Sequence, residues 1–280
     1  MPELPEVQTI VTDLSGILPG MVFESITASH LRSVEPSVAG FDELVGVAVD
    51  RVERRGKFIV VFFEDDWVLT IHLRMSGRVL MREIDDEPLK YERTRLDFDR
   101  GSLRFCDMRK FGRVWLSKVD NFEEMTGIWR LGVEPFSDQF NFDKFCELFE
   151  GRRGAVKKWL LDQSKIAGIG NIYADEACFY AGVRPDAEIS SLSKDRLEKL
   201  FNSIMIALKQ GIQNRGTSIS DFQDAYGKMG TNQELLYVYG RGGKQCLNCS
   251  EELVKTRCAG RGTVHCPGCQ IGLAICVPKI

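Results

Sequence analysis

The 280-residue sequence has no long apolar run, and it does not begin with a basic stretch followed by an apolar one. A membrane-spanning helix needs about 20 consecutive apolar residues, and a secretory leader has that basic-then-apolar order. We therefore expect no transmembrane helix, no signal peptide, no membrane partner and a cytoplasmic protein. Internal repeats and low-complexity segments are also missing, and the length is sufficient for two domains with their own cores.

The sequence has no excess of positive charge, since 37 Lys and Arg residues face 40 Asp and Glu residues. A net charge of −3 argues mildly against nucleic-acid binding. The distribution matters more than the sum, because basic residues concentrate in the stretches 51–57, 100–118 and 152–158. A charge run usually marks only a solvated face, but three such runs close to the motifs described below indicate a polyanionic partner.

The nine cysteines do not have the spacing of a disulfide framework. Cys106, Cys146 and Cys178 are scattered through apolar segments, as expected in a reducing compartment. Two Cys-x-x-Cys pairs, separated by sixteen residues, are formed by Cys246, Cys249, Cys266 and Cys269. This spacing predicts one tetrahedral four-sulfur Zn²⁺ site without an open position, and therefore a structural metal. Cys258 and Cys276 do not fit the spacing and are not expected to be ligands.

The N-terminal residues Pro2, Glu3 and Glu6 allow two interpretations. They are typical of a helix start, where proline and acidic residues are favoured. They would also suit covalent catalysis, because removal of Met1 would leave Pro2 as a secondary amine that titrates near neutrality. Such an amine attacks sugar C1′ carbons and forms an iminium ion, and two adjacent carboxylates could move protons.

The first half of the chain reads as β structure after an initial helix over about residues 3–17. Turn signals separate short β-rich segments, and the predicted strands are 59–63, 67–73, 93–98 and 103–107. Their regular spacing predicts a β-sandwich. After residue 132 the pattern becomes helical, with Ser193 as the N-cap of a helix through Leu208. We therefore expect two domains, 1–131 and 137–280, joined by a linker at 132–136.

Two turns in the second half could bind phosphate. Residues 168–173 combine two glycines with Asn171 at the start of a helix, which suits close approach of an anion to backbone N–H groups. By itself this is a weak signal, and a turn between helices that holds a DNA phosphate explains it. Arg261 lies between glycines and between the two cysteine pairs, so its guanidinium could grip a phosphate from a hairpin tip.

The order of these motifs resembles bacterial formamidopyrimidine-DNA glycosylases over nearly the whole chain. The motifs are residues 2–7, 55–57, 72–77, 107–112, 168–176 and 239–241, together with the four cysteines. The Pro-Glu-Leu-Pro-Glu start is closer to this family than to the endonuclease VIII branch, where Gly commonly replaces Leu. The resemblance implies an α+β fold of two domains. An N-terminal β-sandwich flanked by helices would precede a helix–two-turns–helix domain, which carries a β-hairpin zinc finger at 240–276.

The resemblance also implies an enzyme that removes oxidised purines from duplex DNA and cuts the abasic strand by β,δ-elimination. Pro2 would be the nucleophile that forms the Schiff base, and Glu3 the acid that opens the sugar, supported by Glu6. Lys57 would donate a proton in β-elimination. Arg261 would do so in δ-elimination and would grip the phosphates.

Eight side chains are expected from the resemblance to contact DNA: His72, Met75, Lys90, Arg109, Phe111, Lys157, Asn171 and Tyr239. Met75, Arg109 and Phe111 match the residues that fill the space left when the damaged base leaves the stack, as base chemistry requires. The family often has a His-rich segment where Lys90 stands in this chain. The expected partner is duplex DNA with oxidised bases or abasic sites, and we expect a monomer acting on the bacterial nucleoid.

Two other functions remain open. An oxidised-pyrimidine glycosylase of the endonuclease VIII type would share the chemistry, and the complete set of Met75, Arg109 and Phe111 argues against it. A non-catalytic zinc-finger protein that binds damaged DNA would need none of the residues Pro2, Glu3 and Lys57.

Overall fold

The computed structural model describes residues 1–271, in which the chain forms two compact units. The end of the predicted zinc finger, 272–276 with Cys276, lies outside the described residues. The first unit comprises Met1–Arg130 together with Gly211–Gln233, and the second comprises Leu131–Gln210 together with residues 234–271. Residues 211–233 therefore pack with the N-terminal unit, although the sequence-based division assigns them to the second domain. The linker at 132–136 stays a prediction.

The described part of the first unit contains two helices and nine strands. The helices are α1 (Leu4–Ser15) and α2 (Phe122–Thr126). The strands are β1 (Phe23–Ala28), β2 (Val34–Glu35), β3 (Val49–Arg55), β4 (Phe58–Phe63), β5 (Trp67–His72), β6 (Gly77–Arg82), β7 (Glu92–Phe98), β8 (Gly101–Asp107) and β9 (Arg113–Lys118). The four predicted strands are confirmed within one or two residues, which is the usual uncertainty of element ends.

These strands form two sheets around one core. One sheet has the order β1-β7-β8-β6, and the other has the order β2-β9-β5-β4-β3. The pairs are antiparallel except the short parallel pair of β2 with β9. A cluster of buried side chains joins both sheets to α1, and the rings of Phe63 and Phe98 stack across it at 6.4 Å. The predicted sandwich flanked by a helix is confirmed.

Helix α1 begins where its residues satisfy the first backbone N–H groups. Glu3 is the N-cap, Pro5 occupies the first turn, and Glu6 completes a reciprocal capping box with Glu3. Val7, Ile10 and Leu14 lie on one helix face and are fully buried in the core. This packing fixes the residues immediately before the helix, including Pro2.

The described part of the second unit is mainly helical. Its helices are α3 (Phe142–Phe149), α4 (Val156–Leu160), α5 (Asn171–Tyr180) and α6 (Lys194–Gln213), and its hairpin pairs β10 (Val254–Cys258) with β11 (Arg261–His265). Helix α6 confirms the predicted helix after Ser193, whose hydroxyl accepts the N–H of Arg196. Among the residues described, no helix is both long and apolar enough to cross a bilayer.

Short 3₁₀ turns complete the described secondary structure. They lie at Leu31–Ser33, Val38–Leu44, Ile128–Arg130, Ile189–Ser191 and Asn232–Leu235.

Candidate active site and nucleic-acid interface

The N-terminal residues are held by main-chain hydrogen bonds to Glu6. Pro2 is buried, and Glu3 and Glu6 are 3% and 1% exposed. One carboxylate oxygen of Glu6 accepts the N–H of Glu3 at 2.8 Å, and the other accepts the N–H of Thr217 at 2.7 Å. The helix-start interpretation is therefore confirmed. It is compatible with catalysis, because these contacts give Glu3, the neighbour of Pro2, a defined position.

The segment 211–233, which belongs to the first unit, is anchored to α1. Gly216 has a positive φ of 81°, and a Cβ there would lie 3.0 Å from Cγ of Glu6. The guanidinium of Arg215 bridges Asp13 on α1, at 2.7 Å, and Asp224. Sequence reasoning missed this pair of bridges, since its three members are separated by many residues in sequence.

The same segment carries exposed apolar side chains. Ile219, Tyr226 and Met229 are 52%, 51% and 60% exposed. Exposed apolar side chains in an anchored segment suit contact with a ligand.

Lys57 directly precedes β4, and His72 is the last residue of the adjacent strand β5. Lys57 is 6% exposed in the turn before β4 and follows Gly56, whose φ is 56°. His72 pairs in register with Phe58, and its ring meets the edge of the Phe58 ring at 4.4 Å. The Nδ1 atom of His72 accepts the N–H of Arg74 at 3.0 Å. His72 therefore fixes the turn that leads to Met75.

His72 is neutral at physiological pH. Burial, followed by the positive charges of Arg74 and Lys57, lowers the pKa of His72 from 6.5 to about 3. A neutral ring can donate one hydrogen bond but cannot attract a phosphate by charge. Contact of His72 with DNA stays a prediction.

Two loops of the first unit present the expected space-filling residues. Met75 is 42% exposed between β5 and β6, and Phe111 is 50% exposed between β8 and β9. The guanidinium of Arg109 lies 5.0 Å from the centre of the Phe111 ring, in cation–π contact. Two exposed apolar side chains with a stacked guanidinium suit insertion between bases.

Lys90 lies in a third loop, between β6 and β7. It is exposed, and its ammonium lies 5.0 Å from the ring of Tyr91. The fully buried Arg104 holds this loop by donating to the carbonyl oxygens of Glu83 and Ile84, each at 3.2 Å. Lys90 is thus available to a phosphate, and its contact stays a prediction.

In the second unit, Lys157 and Asn171 point toward the hairpin that carries Arg261. Lys157 is fully buried, with its ammonium 2.6 Å from Asp175 and 3.1 Å from the carbonyl oxygen of Gly262. The side-chain amide of Asn171 donates to the same carbonyl at 3.0 Å. A direct phosphate contact by Lys157 would require its ammonium to leave these acceptors. Their predicted DNA contacts are untested, whereas their support of the hairpin is observed.

Adjacent acids on α5 complete this support. Asp175 also accepts the N–H of Val264 at 3.1 Å, and Glu176 accepts the N–H groups of Tyr237, Val238 and Tyr239 at 2.8–2.9 Å. Burial raises the pKa of Asp175 to about 6 and raises that of Glu176. Sequence reasoning missed both acids, although Asp175 lies one helical turn after Asn171 and shares its face. The predicted DNA contact of Tyr239 stays a prediction.

Four sulfur atoms converge beside the hairpin. The Sγ atoms of Cys246, Cys249, Cys266 and Cys269 all lie within 4.8 Å of one another. The separations Cys246–Cys269 and Cys249–Cys266 are 3.8 and 3.4 Å, close to the roughly 3.8 Å of a tetrahedral site with Zn–S bonds of about 2.3 Å. This cluster could hold a metal ion. Cys258 is not part of it, as expected.

Two family models match the sequence. The formamidopyrimidine-DNA glycosylase N-terminal domain matches residues 1–114, and the formamidopyrimidine-DNA glycosylase H2TH domain matches residues 131–223. Among similar proteins, the formamidopyrimidine-DNA glycosylase of Desulfitobacterium hafniense is 40% identical, covering 97% of this chain and 100% of the relative. The formamidopyrimidine-DNA glycosylase of Gloeobacter violaceus is also 40% identical, covering 96% of this chain and 98% of the relative.

Solved structures agree with the sequence relatives. The Lactococcus lactis enzyme in complex with abasic-site DNA has a TM-score of 0.90 and 34% identity, covering 96% of this chain and 99% of that chain. Its complex with Fapy-dG DNA has a TM-score of 0.88 with the same identity and coverage.

The two-unit fold and these matches define a DNA glycosylase of the class with a β-rich N-terminal domain and a helix–two-turns–helix domain. The chain belongs to the formamidopyrimidine-DNA glycosylase family.

Burial of neutral His72 predicts a specific pH dependence of stability. Unfolding restores its pKa to about 6.5, so as pH falls below 6.5 the unfolded chain gains a proton that the folded chain does not. The contribution of neutral His72 to the free energy of unfolding is complete above pH 6.5 and is lost progressively as the pH falls toward 3. His72→Asn retains an acceptor for the Arg74 N–H but does not titrate.

Between pH 7.5 and 5.5, the wild type should lose about 1 kcal/mol more unfolding free energy than His72→Asn. Urea unfolding followed by tryptophan fluorescence measures both proteins. If both proteins lost the same unfolding free energy across this pH range, the conclusion that His72 is neutral in the folded chain would be wrong.

Proposed function

We propose that this protein is a bifunctional DNA glycosylase and AP lyase of base-excision repair. It removes 8-oxoguanine and formamidopyrimidines from duplex DNA, then cuts the abasic strand by β,δ-elimination. The observation that carries the proposal is the buried N-terminal group of Pro2, Glu3 and Glu6 in a chain of this family. We propose a monomer that acts on the nucleoid in the bacterial cytoplasm.

The first step is attack by Pro2 on the sugar C1′. Met1 is 47% exposed, and its removal would leave Pro2 with a free secondary amine. Because a chain α-amine titrates at about pH 7.7–8.0, a useful fraction is neutral and nucleophilic at physiological pH. The C1′–N bond to the damaged base breaks as the new C–N bond forms, and the proton lost by the amine balances the one gained by the departing base. Glu3 then protonates the ring oxygen, so that the C1′–O bond breaks and the sugar opens to the iminium ion.

The next steps expel the flanking phosphates. The iminium ion acidifies the C2′ proton, whose loss drives β-elimination of the 3′ phosphate, and δ-elimination then expels the 5′ phosphate. Lys57, almost completely buried before β4, is the proposed proton donor in the first elimination. Arg261, exposed at the start of β11, is the proposed donor in the second and binds the phosphates as a fixed cation.

Opening the duplex is the proposed role of the exposed loops. A base must leave the stack before its glycosidic bond can be reached, which costs a few kcal/mol. Met75 and Phe111 would fill the vacated space, while Arg109 donates hydrogen bonds to the base left unpaired. Glu6 supports the reaction by holding Glu3 and the segment 211–233.

The four-cysteine cluster is proposed to bind one structural Zn²⁺. Four thiolates match the preference of zinc, and no ligand position would remain for substrate. N–H groups of Asn248 and Cys269 approach the sulfur atoms of Cys246 and Cys266 at 3.4 and 3.3 Å, as suits thiolate acceptors. When bound, zinc supplies rigidity to the hairpin, and no step of the reaction depends on its chemistry.

Two tests separate this function from its alternatives. Borohydride trapping on an abasic duplex attaches an enzyme covalently to DNA but does not attach a non-catalytic binder. Cleavage of 8-oxoguanine duplexes in preference to thymine-glycol duplexes distinguishes the purine enzyme from one of the endonuclease VIII type.

Catalysis should require a free Pro2. A tag before Pro2 converts its amine to an amide, so borohydride trapping and cleavage should fall below detection, whereas the same tag at the C-terminus should leave both intact. Glu3→Gln should retain DNA binding but lose excision of intact lesions, because it removes the proton while keeping the shape. Full trapping by the N-terminally tagged protein would refute the assignment.

Zinc should be stoichiometric and structural. Cys249→Ser should release the metal, disorder the hairpin with Arg261 and weaken DNA binding, while the N-terminal unit stays folded. Cys146→Ser, which removes a cysteine outside the cluster, is the matched control. Elemental analysis should find one zinc per wild-type chain. Metal-free protein with full activity would contradict the proposal.

Arg109 should set the preference for the opposite base. A guanidinium suits the acceptors of cytosine better than adenine, and a specific base contact contributes about 1–3 kcal/mol. Arg109→Ala should therefore flatten the preference for cytosine, whereas Phe111→Ala should slow lesion capture with either partner. Single-turnover excision of the lesion opposite cytosine and opposite adenine measures both effects. If Arg109→Ala kept the full preference for cytosine, another residue would have to recognise the base opposite the lesion.

A further inference from the structure

Asp107, the last residue of β8, lies where three loops of the first unit meet. It is 1% exposed and pairs with Gly77 at the start of β6. The three loops are 73–76, which carries Met75; 83–91, which carries Lys90; and 108–112, which carries Arg109 and Phe111. The side chains proposed to enter DNA therefore extend from one buried centre.

The carboxylate of Asp107 binds two of these loops directly. Its Oδ1 atom accepts the hydroxyl of Ser76 at 2.6 Å and the N–H of Arg109 at 3.1 Å. Its Oδ2 atom accepts the N–H of Gly112 at 2.7 Å. The N–H of Arg109 also lies 3.2 Å from the Ser76 oxygen, so Ser76 and Asp107 share one donor.

The main chain of Asp107 binds the third loop. Its N–H donates to the carbonyl oxygen of Tyr91 at 2.9 Å, and its own carbonyl accepts from Nε of Arg93 at 2.8 Å. Tyr91, Arg74 and Lys110 have positive φ values of 65°, 53° and 60°. Each loop thus contains a turn that a non-glycine residue adopts at a cost, which the contacts to Asp107 offset.

We infer that Asp107 and Ser76 are positioning residues that set the relative placement of Met75, Arg109 and Phe111. The inference rests on the proposed function, in which these three side chains replace the flipped base and read its partner. The hydroxyl of Ser76 and the N–H groups of Arg109 and Gly112 all donate to the two carboxyl oxygens, which an aspartate side chain can accept together. An asparagine in this place would direct its NH₂ group at one of the donors and lose that contact.

A purely structural role would predict a different result. Loss of a buried hydrogen bond that only stabilises the fold should reduce excision equally on all duplexes. If the substitution instead displaces the loops, the preference between the two opposite bases should change, because the guanidinium of Arg109 must reach the partner base accurately. Opposite-base preference therefore separates the two roles.

Ser102 supplies the matched control. It lies on the same strand β8, is fully buried, and donates its hydroxyl to Oδ1 of Asp97 at 2.7 Å. It pairs with Arg82 at the other end of β6 from Gly77. Ser102→Ala therefore removes the same kind of Ser–Asp hydrogen bond at the end of β8 away from Asp107 and from the loops 73–76 and 108–112.

The experiment compares wild type, Ser76→Ala, Asp107→Asn and Ser102→Ala in single-turnover excision of 8-oxoguanine opposite cytosine and opposite adenine. Wild type is measured first, and absence of cleavage on both duplexes would refute the proposed function itself. In Ser76→Ala and Asp107→Asn, the ratio of the two rates should fall about tenfold, equivalent to about 1.4 kcal/mol. Ser102→Ala should keep the wild-type ratio.

Hydrogen exchange of the backbone gives a readout that does not depend on activity. Peptides spanning 108–112 should exchange faster in Ser76→Ala and Asp107→Asn than in Ser102→Ala. If Asp107→Asn fails to fold, Ser76→Ala still tests the inference. An unchanged rate ratio in Ser76→Ala, or an equal fall in Ser102→Ala, would overturn it.

Discussion

Buried carboxylates that accept main-chain N–H groups hold the functional loops of this protein. In the first unit, Glu6 holds the N-terminus against residues 211–233, Asp107 holds the space-filling loops, and Asp224 accepts two N–H groups within its own turn. In the second unit, Asp175 and Glu176 do the same for the hairpin and the chain before it. In each unit, one type of interaction therefore gives irregular backbone a fixed conformation.

A carboxylate suits this task because it has several lone pairs and no donor. One carboxylate can accept hydrogen bonds from two or three N–H groups that point inward in a tight turn. Charged acceptors also form stronger hydrogen bonds than neutral ones. The cost is desolvation, which is visible where burial raises the pKa of Asp175 to about 6 although Lys157 lies 2.6 Å away. Such residues are sensitive positions, because removing the acceptor leaves several buried donors unsatisfied.

Local patterns explain what could be predicted from the sequence. The strands of the sandwich, the start of α1 and the convergence of four cysteines follow from alternation, capping residues and short spacing, and the structure confirms each. The nucleophile role of Pro2 and the phosphate grip of Arg261 were argued from the residues and supported by family resemblance, whereas the role of Lys57 came from the resemblance alone. All three stay predictions.

What the sequence did not indicate depends on residues far apart in the chain. The link between Glu6 and Thr217 spans 211 residues, and no local pattern specifies it. The burial of Lys157 depends on the hairpin 105 residues later. The family resemblance predicts that Lys157 contacts the DNA backbone, and this contact stays a prediction, whereas its ion pair with Asp175 had no signal in the sequence.

The division of the first unit between residues 1–130 and 211–233 has a consequence for protein synthesis. The ribosome must add the 80 residues 131–210 of the second unit before the partners of Glu6 and Asp13 are made. At elongation rates of about 5–20 residues per second this takes about 4–16 s. During that interval the partners Thr217 and Arg215 do not yet exist. The carboxylates of Glu6 and Asp13 on α1 then have only the hydrogen-bond donors that the residues already synthesised can supply. The N-terminus that carries Pro2 therefore attains its final environment only late in translation, after most of the second unit has left the ribosome.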